Sequence, residues 1–239
     1  MAYQSIFKRN EIKYLLTAAQ KETILQAMEP YMALDQYGRT TIRNLYFDTD
    51  NYRLIRRSIE KPAYKEKLRI RSYRRTEPDS PVFVELKKKY RSVVYKRRLS
   101  MDMDEAVAWL SGGKPTAQDS QIGREISYFL QFYQSLHPTV FLSYQREAFY
   151  SRNGEDFRVT FDDHIICRRE ELSLESEVWG TPLLDDGMVL MEVKTSGAIP
   201  LWMVRVLSEN RIYKTSFSKY AAAYEKIIYP TLKGENTYV

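Results

Sequence analysis

The sequence predicts an α+β fold in which an antiparallel β-sheet carries helices on its outside or at its ends. Two observations predict this fold class. Several segments alternate polar and apolar residues with the period of a strand, and segments with helical spacing lie before, between and after them. The 239 residues suit one domain, residues 1–239, because closed β architectures often reach this length unbroken.

The N-terminal elements follow from alternation and from residues that begin or end helices. A first strand is predicted at 7–16. A helix then begins with a capping box at Thr17 and ends at Pro30. Residues 40–47 alternate as the next strand, and a short helix or turn is expected at 51–60.

The remaining elements are read in the same way. Further strands are predicted at 64–74, 82–90, 93–100, 139–150, 157–162, 165–168 and 188–195, with helices ending near 110 and spanning about 119–136, 199–209 and 218–229. Asn153 and Gly154 form a strong hairpin signal. Asp162 and Asp163 are interpreted as nearly a turn, followed by His164, and the two short strands are separated at 163–164.

Basic residues recur two positions apart in five of these strand segments. The segments are 67–71, 85–89, 96–98, 158–160 and 192–194. Alternate side chains of a strand point to the same face, so several charged faces are predicted together. They indicate a sheet curled around a shared anionic ligand, although ordinary solvated faces remain an open alternative.

Composition limits the classes of partner and site. The net charge of +6 and the pI near 9.2 indicate an anionic partner and leave nucleic acid, membrane surface and polyphosphate open. Cys167 is the only cysteine, which excludes an intrachain disulfide or a cysteine-based zinc site. No signal peptide or long apolar run is visible, so a cytoplasmic domain is expected, with attachment to a membrane through a separate partner left open.

The candidate ligands for phosphate are basic residues on strand faces. Arginine offers a planar fork that matches phosphate oxygens, whereas lysine acts as a point charge. The candidates are Lys13, Lys67, Arg69, Arg71, Lys87, Lys96, Arg146, Arg158, Lys194 and Lys219. Arg168 and Arg169, by contrast, are predicted to lie at the surface.

Two glutamates are candidates for a metal ion. Glu192 lies in the apolar run 189–194, and a buried glutamate needs a cation. A metal ion bridging to phosphate oxygens would satisfy it, and an internal glutamate–lysine pair is the alternative. Glu85 is a weaker candidate, and Glu11 beside Lys13 is ambiguous. No Ser/His/Asp triad, Walker loop or RNA-binding motif is present.

These motifs, taken in order, resemble the VTC domain, the catalytic domain of vacuolar transporter chaperone polyphosphate polymerases. That domain belongs to the triphosphate tunnel metalloenzymes, which are related to CYTH domains. The resemblance covers nearly the whole chain. Its stretches are 11–14, 45–48, 67–73, 82–87, 144–149, 158–162, 190–194 and 217–220.

The resemblance implies a closed antiparallel tunnel of about eight strands with helices outside and at its ends. It implies transfer of the γ-phosphate of ATP to a growing polyphosphate chain, with Mn²⁺ or Mg²⁺ held by Glu192 and more weakly by Glu85. Catalytic roles fall to Lys13, Arg69, Arg71, Lys87, Arg146 and Arg158, and phosphate or nucleotide binding falls to Lys67, Lys96, Lys194 and Lys219.

The sequence departs from the family pattern in two places. The N-terminal motif is reduced to Glu11 and Lys13, with Asn10 before it. Lys214 lies further from Ser218 than the family's second lysine does. A stand-alone domain of this kind is expected to be bacterial, with ATP and polyphosphate as partners and no nucleic acid. The alternatives are a tunnel-type triphosphatase or nucleoside triphosphatase, and a non-catalytic polyphosphate-binding module.

Overall fold

A computed structural model describes residues 10–91, 93–112, 116 and 119–235, with side chains as far as residue 233. The predicted start of the first strand, at 7–9, lies outside the described residues. None of the helices in the described part of the chain is long and apolar enough to span a membrane.

Eleven strands form one sheet with antiparallel pairings. They are β1 Asn10–Leu16, β2 Met32–Leu34, β3 Thr40–Asp48, β4 Tyr64–Ser72, β5 Pro81–Tyr90, β6 Val93–Asp102, β7 His137–Ser151, β8 Phe157–Arg168, β9 Thr181–Pro182, β10 Val189–Thr195 and β11 Lys214–Thr215. The order across the sheet is β11-β1-β10-β8-β7-β3-β4-β5-β6, with β2 beside β7 and β9 beside β8. Within the described ranges no pairing joins β6 to β11, so the predicted antiparallel sheet is confirmed but its closure is not.

The sheet nevertheless curls strongly. β1 and β5 lie near opposite ends of the strand order, yet Lys87 Nζ on β5 is 3.4 Å from the carboxylate of Glu11 on β1. Lys67 on β4 donates a hydrogen bond of 2.7 Å to Ser218 Oγ, beyond β11. The two ends of the sheet therefore face each other. We call the concave surface that carries these side chains the inner face.

Alternation along each strand separates the inner face from an apolar outer face. On β4, Leu68 and Ile70 are fully buried in an outer core under the helices, whereas Arg69 between them points inward. On β10, Met191 and Val193 pack outward and Glu192 points inward. Each fully buried aliphatic side chain of this kind contributes roughly 1.5–3 kcal/mol, so the outer core stabilises a surface of clustered charges.

Helices cover the outer face and one region of the inner face. They are α1 Ala18–Met28, α2 Arg53–Ile59, α3 Met103–Leu110, α4 Gln121–Tyr133, α5 Leu201–Glu209, α6 Lys219–Ala223 and α7 Tyr229–Glu235, with a π-helical turn at Tyr224–Ile228. The predicted capping box of α1 is confirmed: the Thr17 hydroxyl accepts from the Gln20 N–H, and the Gln20 side chain accepts from the Thr17 N–H.

Two sequence-based expectations were wrong. The predicted break at Asp163 and His164 does not occur, because β8 runs through it and His164 adopts a left-handed φ of 46° where the register to β7 shifts. Arg168 is buried rather than at the surface. Its guanidinium donates to the carbonyls of Glu171 and Trp179, so it holds the loop after β8 in place.

Candidate functional site

The inner face collects every residue that the sequence analysis selected as a phosphate or metal ligand. Strand alternation places all of them there except Lys219, which begins α6, and most of them surround one of three carboxylate centres. The residues are Lys13, Lys67, Arg69, Arg71, Glu85, Lys87, Lys96, Arg146, Arg158, Glu192, Lys194 and Lys219.

The first centre is Glu85, which is 1% exposed. Arg69 donates to its Oε2 from both Nε and Nη2, at 2.9 and 2.7 Å. Lys96 Nζ lies 2.7 Å from Oε1, Arg98 Nε donates to Oε1 at 2.8 Å, and Arg71 Nε lies 3.8 Å from Oε2. Although burial raises the pKa of Glu85, these cations hold it well below its usual value. Glu85 is therefore an ionised carboxylate that is surrounded by more positive charge than it can neutralise.

Neutral side chains fix the orientation of two of these arginines. Tyr46 Oη accepts from Arg69 Nη1 at 2.8 Å. Asn44 Oδ1 accepts from Arg71 Nε at 3.1 Å, and Tyr144 Oη accepts from Arg71 Nη2 at 3.3 Å. The guanidinium planes are therefore held by partners that need no rearrangement when an anion arrives.

The second centre joins two carboxylates, Glu192 and Asp162. Arg146 forms a bidentate pair with Asp162, at 2.6 and 2.7 Å, and its Nη2 is 3.7 Å from Glu192. Lys219 Nζ lies 2.6 Å from Asp162 and 3.5 Å from Glu192. Lys194 completes the centre at 2.9 Å from Glu192, so the internal glutamate–lysine pair that the sequence left open does form.

The third centre is Glu11, which links the two ends of the sheet. Its carboxylate lies 3.4 Å from Lys13 and 3.4 Å from Lys87. Burial would raise the pKa of Glu11, but Lys87 and Lys194 outweigh that effect and lower it to about 2. Lys13 Nζ also lies 3.3 Å from Glu192, so one ammonium occupies a cation position between two carboxylates.

Cations outnumber carboxylates on the inner face. Two lysines, whose pKa values are lowered, show the effect of this excess. Burial, together with the neighbouring Lys87 and Lys13, holds the pKa of Lys67 well below its usual value. Burial and the charges of Arg71 and Arg98 lower the pKa of Lys96 to about 7, despite Glu85 beside it. An anionic ligand would relieve both shifts.

The position of Lys219 depends on a buried anchor behind it. Ser218 caps α6 by accepting from the Ala221 N–H. Tyr220, the next residue after Lys219, donates to Asp48 at 2.9 Å and stacks on Tyr46 at 4.6 Å between ring centroids. Asp48 itself accepts backbone N–H groups at the start of α2. α6 is thus tied to the sheet on both sides of its lysine.

Arg98, Asp162 and Tyr144 belong to this site but are not among the candidate ligands predicted from the sequence. Arg98 shares the inner side of β6 with Lys96, as the period of two in segment 96–98 predicts, although only Lys96 was chosen as a candidate ligand. Asp162 lies two residues beyond Thr160 on the inner side of β8, which the same rule would also have found. Tyr144 begins the matching stretch 144–149, but its role comes from Arg71 and Arg146 packing around it, which that stretch alone does not indicate.

The carboxylates of the inner face are the candidate ligands for a divalent metal ion. No group of three or more carboxylate, histidine or cysteine ligands converges in the described part of the chain. Glu192 and Glu11 nevertheless flank a cation position, which the Lys13 ammonium now fills. Mg²⁺ commonly takes one or two carboxylates and completes its shell with substrate phosphates. The residues present therefore fit an ion that arrives with phosphates, and not one held by the protein alone.

Comparison with known proteins agrees with this architecture. A candidate adenylate cyclase from Bacillus halodurans has the same fold, with a TM-score of 0.58 at 15% identity over 90% of this chain and 96% of that one. A candidate adenylyl cyclase from Hippeastrum, described as having a dominant triphosphatase activity, has a TM-score of 0.53 at 17% identity over 94% and 98%. No curated protein sequence matches. The VTC domain family matches residues 8–228, and the chain belongs to that family.

Proposed function

We propose that this protein is an ATP-dependent polyphosphate polymerase that transfers the γ-phosphate of ATP to the end of a polyphosphate chain lying on the inner face. The observation that carries the proposal is the continuous row of fixed cations running from the Glu85 centre to the Glu192 and Asp162 centre. A nucleotide at one centre and the end of a chain at the other would together use both.

The chemistry needs positioning and charge neutralisation more than covalent help. An oxygen of the terminal phosphate of the chain attacks the γ-phosphorus of ATP, the bond from that phosphorus to the bridging oxygen breaks, and ADP leaves with the electron pair. Arg69, Arg71 and Arg146 are held in place before substrate arrives. Preorganised cations of this kind stabilise the charge that develops on the transferred group.

A divalent ion, Mn²⁺ or Mg²⁺, would be held by Glu192 with Glu11 and by the phosphates. It would neutralise phosphate charge and orient the γ-phosphate. For this to happen the Lys13 ammonium turns from the carboxylates to a phosphate oxygen. Glu85 suits this role less well, because Arg69 and Arg98 each donate to it from two nitrogens, whereas the hydrogen bonds to Glu192 come from lysine ammonium groups.

A triphosphatase is the second candidate, because the Hippeastrum neighbour is described by that activity. Hydrolysis replaces the phosphate nucleophile with water, which benefits from a general base. The carboxylates Glu11, Glu85 and Glu192 all have lowered pKa values and are therefore weak bases. An anionic phosphate needs no base, and this difference favours the polymerase.

The test compares two neighbouring arginines on β6 that point to opposite sides. Arg98 lies on the inner face beside Glu85, whereas Arg97 points outward and pairs with Glu125 on α4. Purified wild-type, Arg98→Ala and Arg97→Ala proteins are incubated with ATP and Mn²⁺, and polymer is resolved on a polyacrylamide gel. We expect polymer from wild type and Arg97→Ala and at least tenfold less from Arg98→Ala, roughly the loss of one charged hydrogen bond.

The other results have clear meanings. Orthophosphate without polymer would support the triphosphatase. Binding of nucleotide and chain without either product would support a non-catalytic module. Equal polymer from Arg98→Ala and wild type would contradict the assignment of the Glu85 centre to substrate.

A further inference from the structure

Two buried polar atoms on the inner side of β8 have no hydrogen-bond partner among the described residues. They are Thr160 Oγ1 and Arg158 Nε, two positions apart on the same strand. Val159 and Phe161, on either side of Thr160, pack into the outer core. Thr160 is fully buried, so its hydroxyl points into the protein at the inner face and not into bulk water.

Buried polar groups in folded proteins are nearly always paired, so an exception needs an explanation. Thr160 lies opposite Glu192 on β10 and opposite Ala148 on β7. The oxygens of Glu192 are engaged by Lys194 and Lys13 and make no hydrogen bond with the threonine. The small side chain of Ala148 offers no polar atom. The residues opposite Thr160 on the two neighbouring strands therefore provide no hydrogen-bond partner for its hydroxyl.

The surroundings favour an anionic partner. Both orphan atoms carry hydrogens that can be donated, and the neighbouring Arg146 and Lys194 are cations. Lys194 lies opposite Arg158 in the register of β8 and β10, and its side chain is 21% exposed, so movement of this ammonium away from Glu192 is what would open the two buried donors to an anion. A phosphate oxygen combines the charge that the cations need with the acceptor that the two donors need.

We propose that Thr160 and Arg158 form a phosphate position on β8, in which the Thr160 hydroxyl and Arg158 Nε donate to oxygens of one phosphate of the bound polyanion. This inference rests on the proposed function and adds Thr160, which the sequence analysis did not select. If the hydroxyl has a partner only when the ligand is bound, its removal should weaken ligand binding without lowering the stability of the ligand-free protein.

The experiment separates those two effects. Thr160→Val keeps the shape and removes the donor, whereas Thr160→Ser keeps the donor. Affinity for tripolyphosphate is measured by isothermal titration without metal, and melting temperature is measured without ligand. We expect Thr160→Val to bind about tenfold more weakly or worse, the range for a hydrogen bond to a charged group. Its melting temperature should be unchanged or higher, and Thr160→Ser should bind like wild type.

Ser143 provides a matched control. Its hydroxyl is another buried orphan, but it lies opposite Arg43 in the register of β3 and β7, away from the inner-face charges. Ser143→Ala should leave tripolyphosphate affinity unchanged. Wild-type affinity in Thr160→Val would overturn the inference, and so would a fall in its ligand-free melting temperature, which would reveal a partner in the free protein. Failure of wild type itself to bind tripolyphosphate would instead contradict the proposed function.

Discussion

Replacement of Glu192 by glutamine tests whether the carboxylates of the inner face act as fixed counter-charges. The substitution keeps the shape of the side chain and removes its charge. Four cations lie around the carboxylate, from Lys194 at 2.9 Å through Lys13 and Lys219 to Arg146 at 3.7 Å. At these distances each pair is worth about 5 kcal/mol before desolvation, with an effective dielectric constant of about 20.

The net effect is smaller than the sum of those pairs. Asp162 still neutralises Arg146 and Lys219 in the variant, and the wild-type carboxylate is itself costly to bury. Loss of one partner of a buried ion pair typically destabilises by about 3–5 kcal/mol. For a chain of this length each kcal/mol lowers the melting temperature by about 2–4 °C, so we expect Glu192→Gln to melt about 6–20 °C lower.

Differential scanning calorimetry with and without tripolyphosphate measures this effect. The ligand should raise the melting temperature of Glu192→Gln more than that of wild type at equal ligand concentration, because the anion supplies the missing negative charge and therefore binds the variant more tightly. Glu209→Gln, at an exposed position of α5, controls for loss of a carboxylate elsewhere. A ligand-free melting temperature equal to that of wild type would refute the counter-charge role. Polymer synthesis is then compared below the melting temperature of the variant.

Two further predictions concern the protonation of Lys96 and the hydrogen bond by which Tyr220 anchors α6. Because the pKa of Lys96 is lowered to about 7 and a bound phosphate favours its charged form, binding takes up a proton above pH 7. Affinity for tripolyphosphate should then fall by up to about tenfold per pH unit from pH 7 to 9, and a Lys96→Met variant titrated in the same way should show a flatter profile. Tyr220→Phe removes the hydrogen bond to Asp48; we expect a loss of about 1 kcal/mol in unfolding free energy and a larger proportional loss of polymerase rate, because Lys219 loses its anchor. A polymerase rate that falls by no larger a fraction than the unfolding free energy does would contradict that reasoning.

Most of the inner face could be predicted from local alternation. The period of two on β4 assigns Lys67, Arg69 and Arg71 to one side, and the structure places them there. The contact between Glu11 and Lys87 could not be predicted in this way, because it depends on how far the whole sheet curls. Arg168 shows the same limit: its buried position comes from loop carbonyls that close around it, and no pattern at residue 168 encodes that loop.

The carboxylates explain how so many cations can be held together without ligand. In an isolated cluster of buried ammonium and guanidinium groups, the lysines would deprotonate or the cluster would open to water. Glu85 and Asp162 prevent this by pairing with arginines in bidentate or forked geometry. They neutralise only part of the charge, and burial together with the repulsion that is left lowers the pKa values of Lys67 and Lys96. The fold therefore keeps its arginines in fixed positions while leaving a positive excess that a phosphate chain, entering as a polyanion, would relieve.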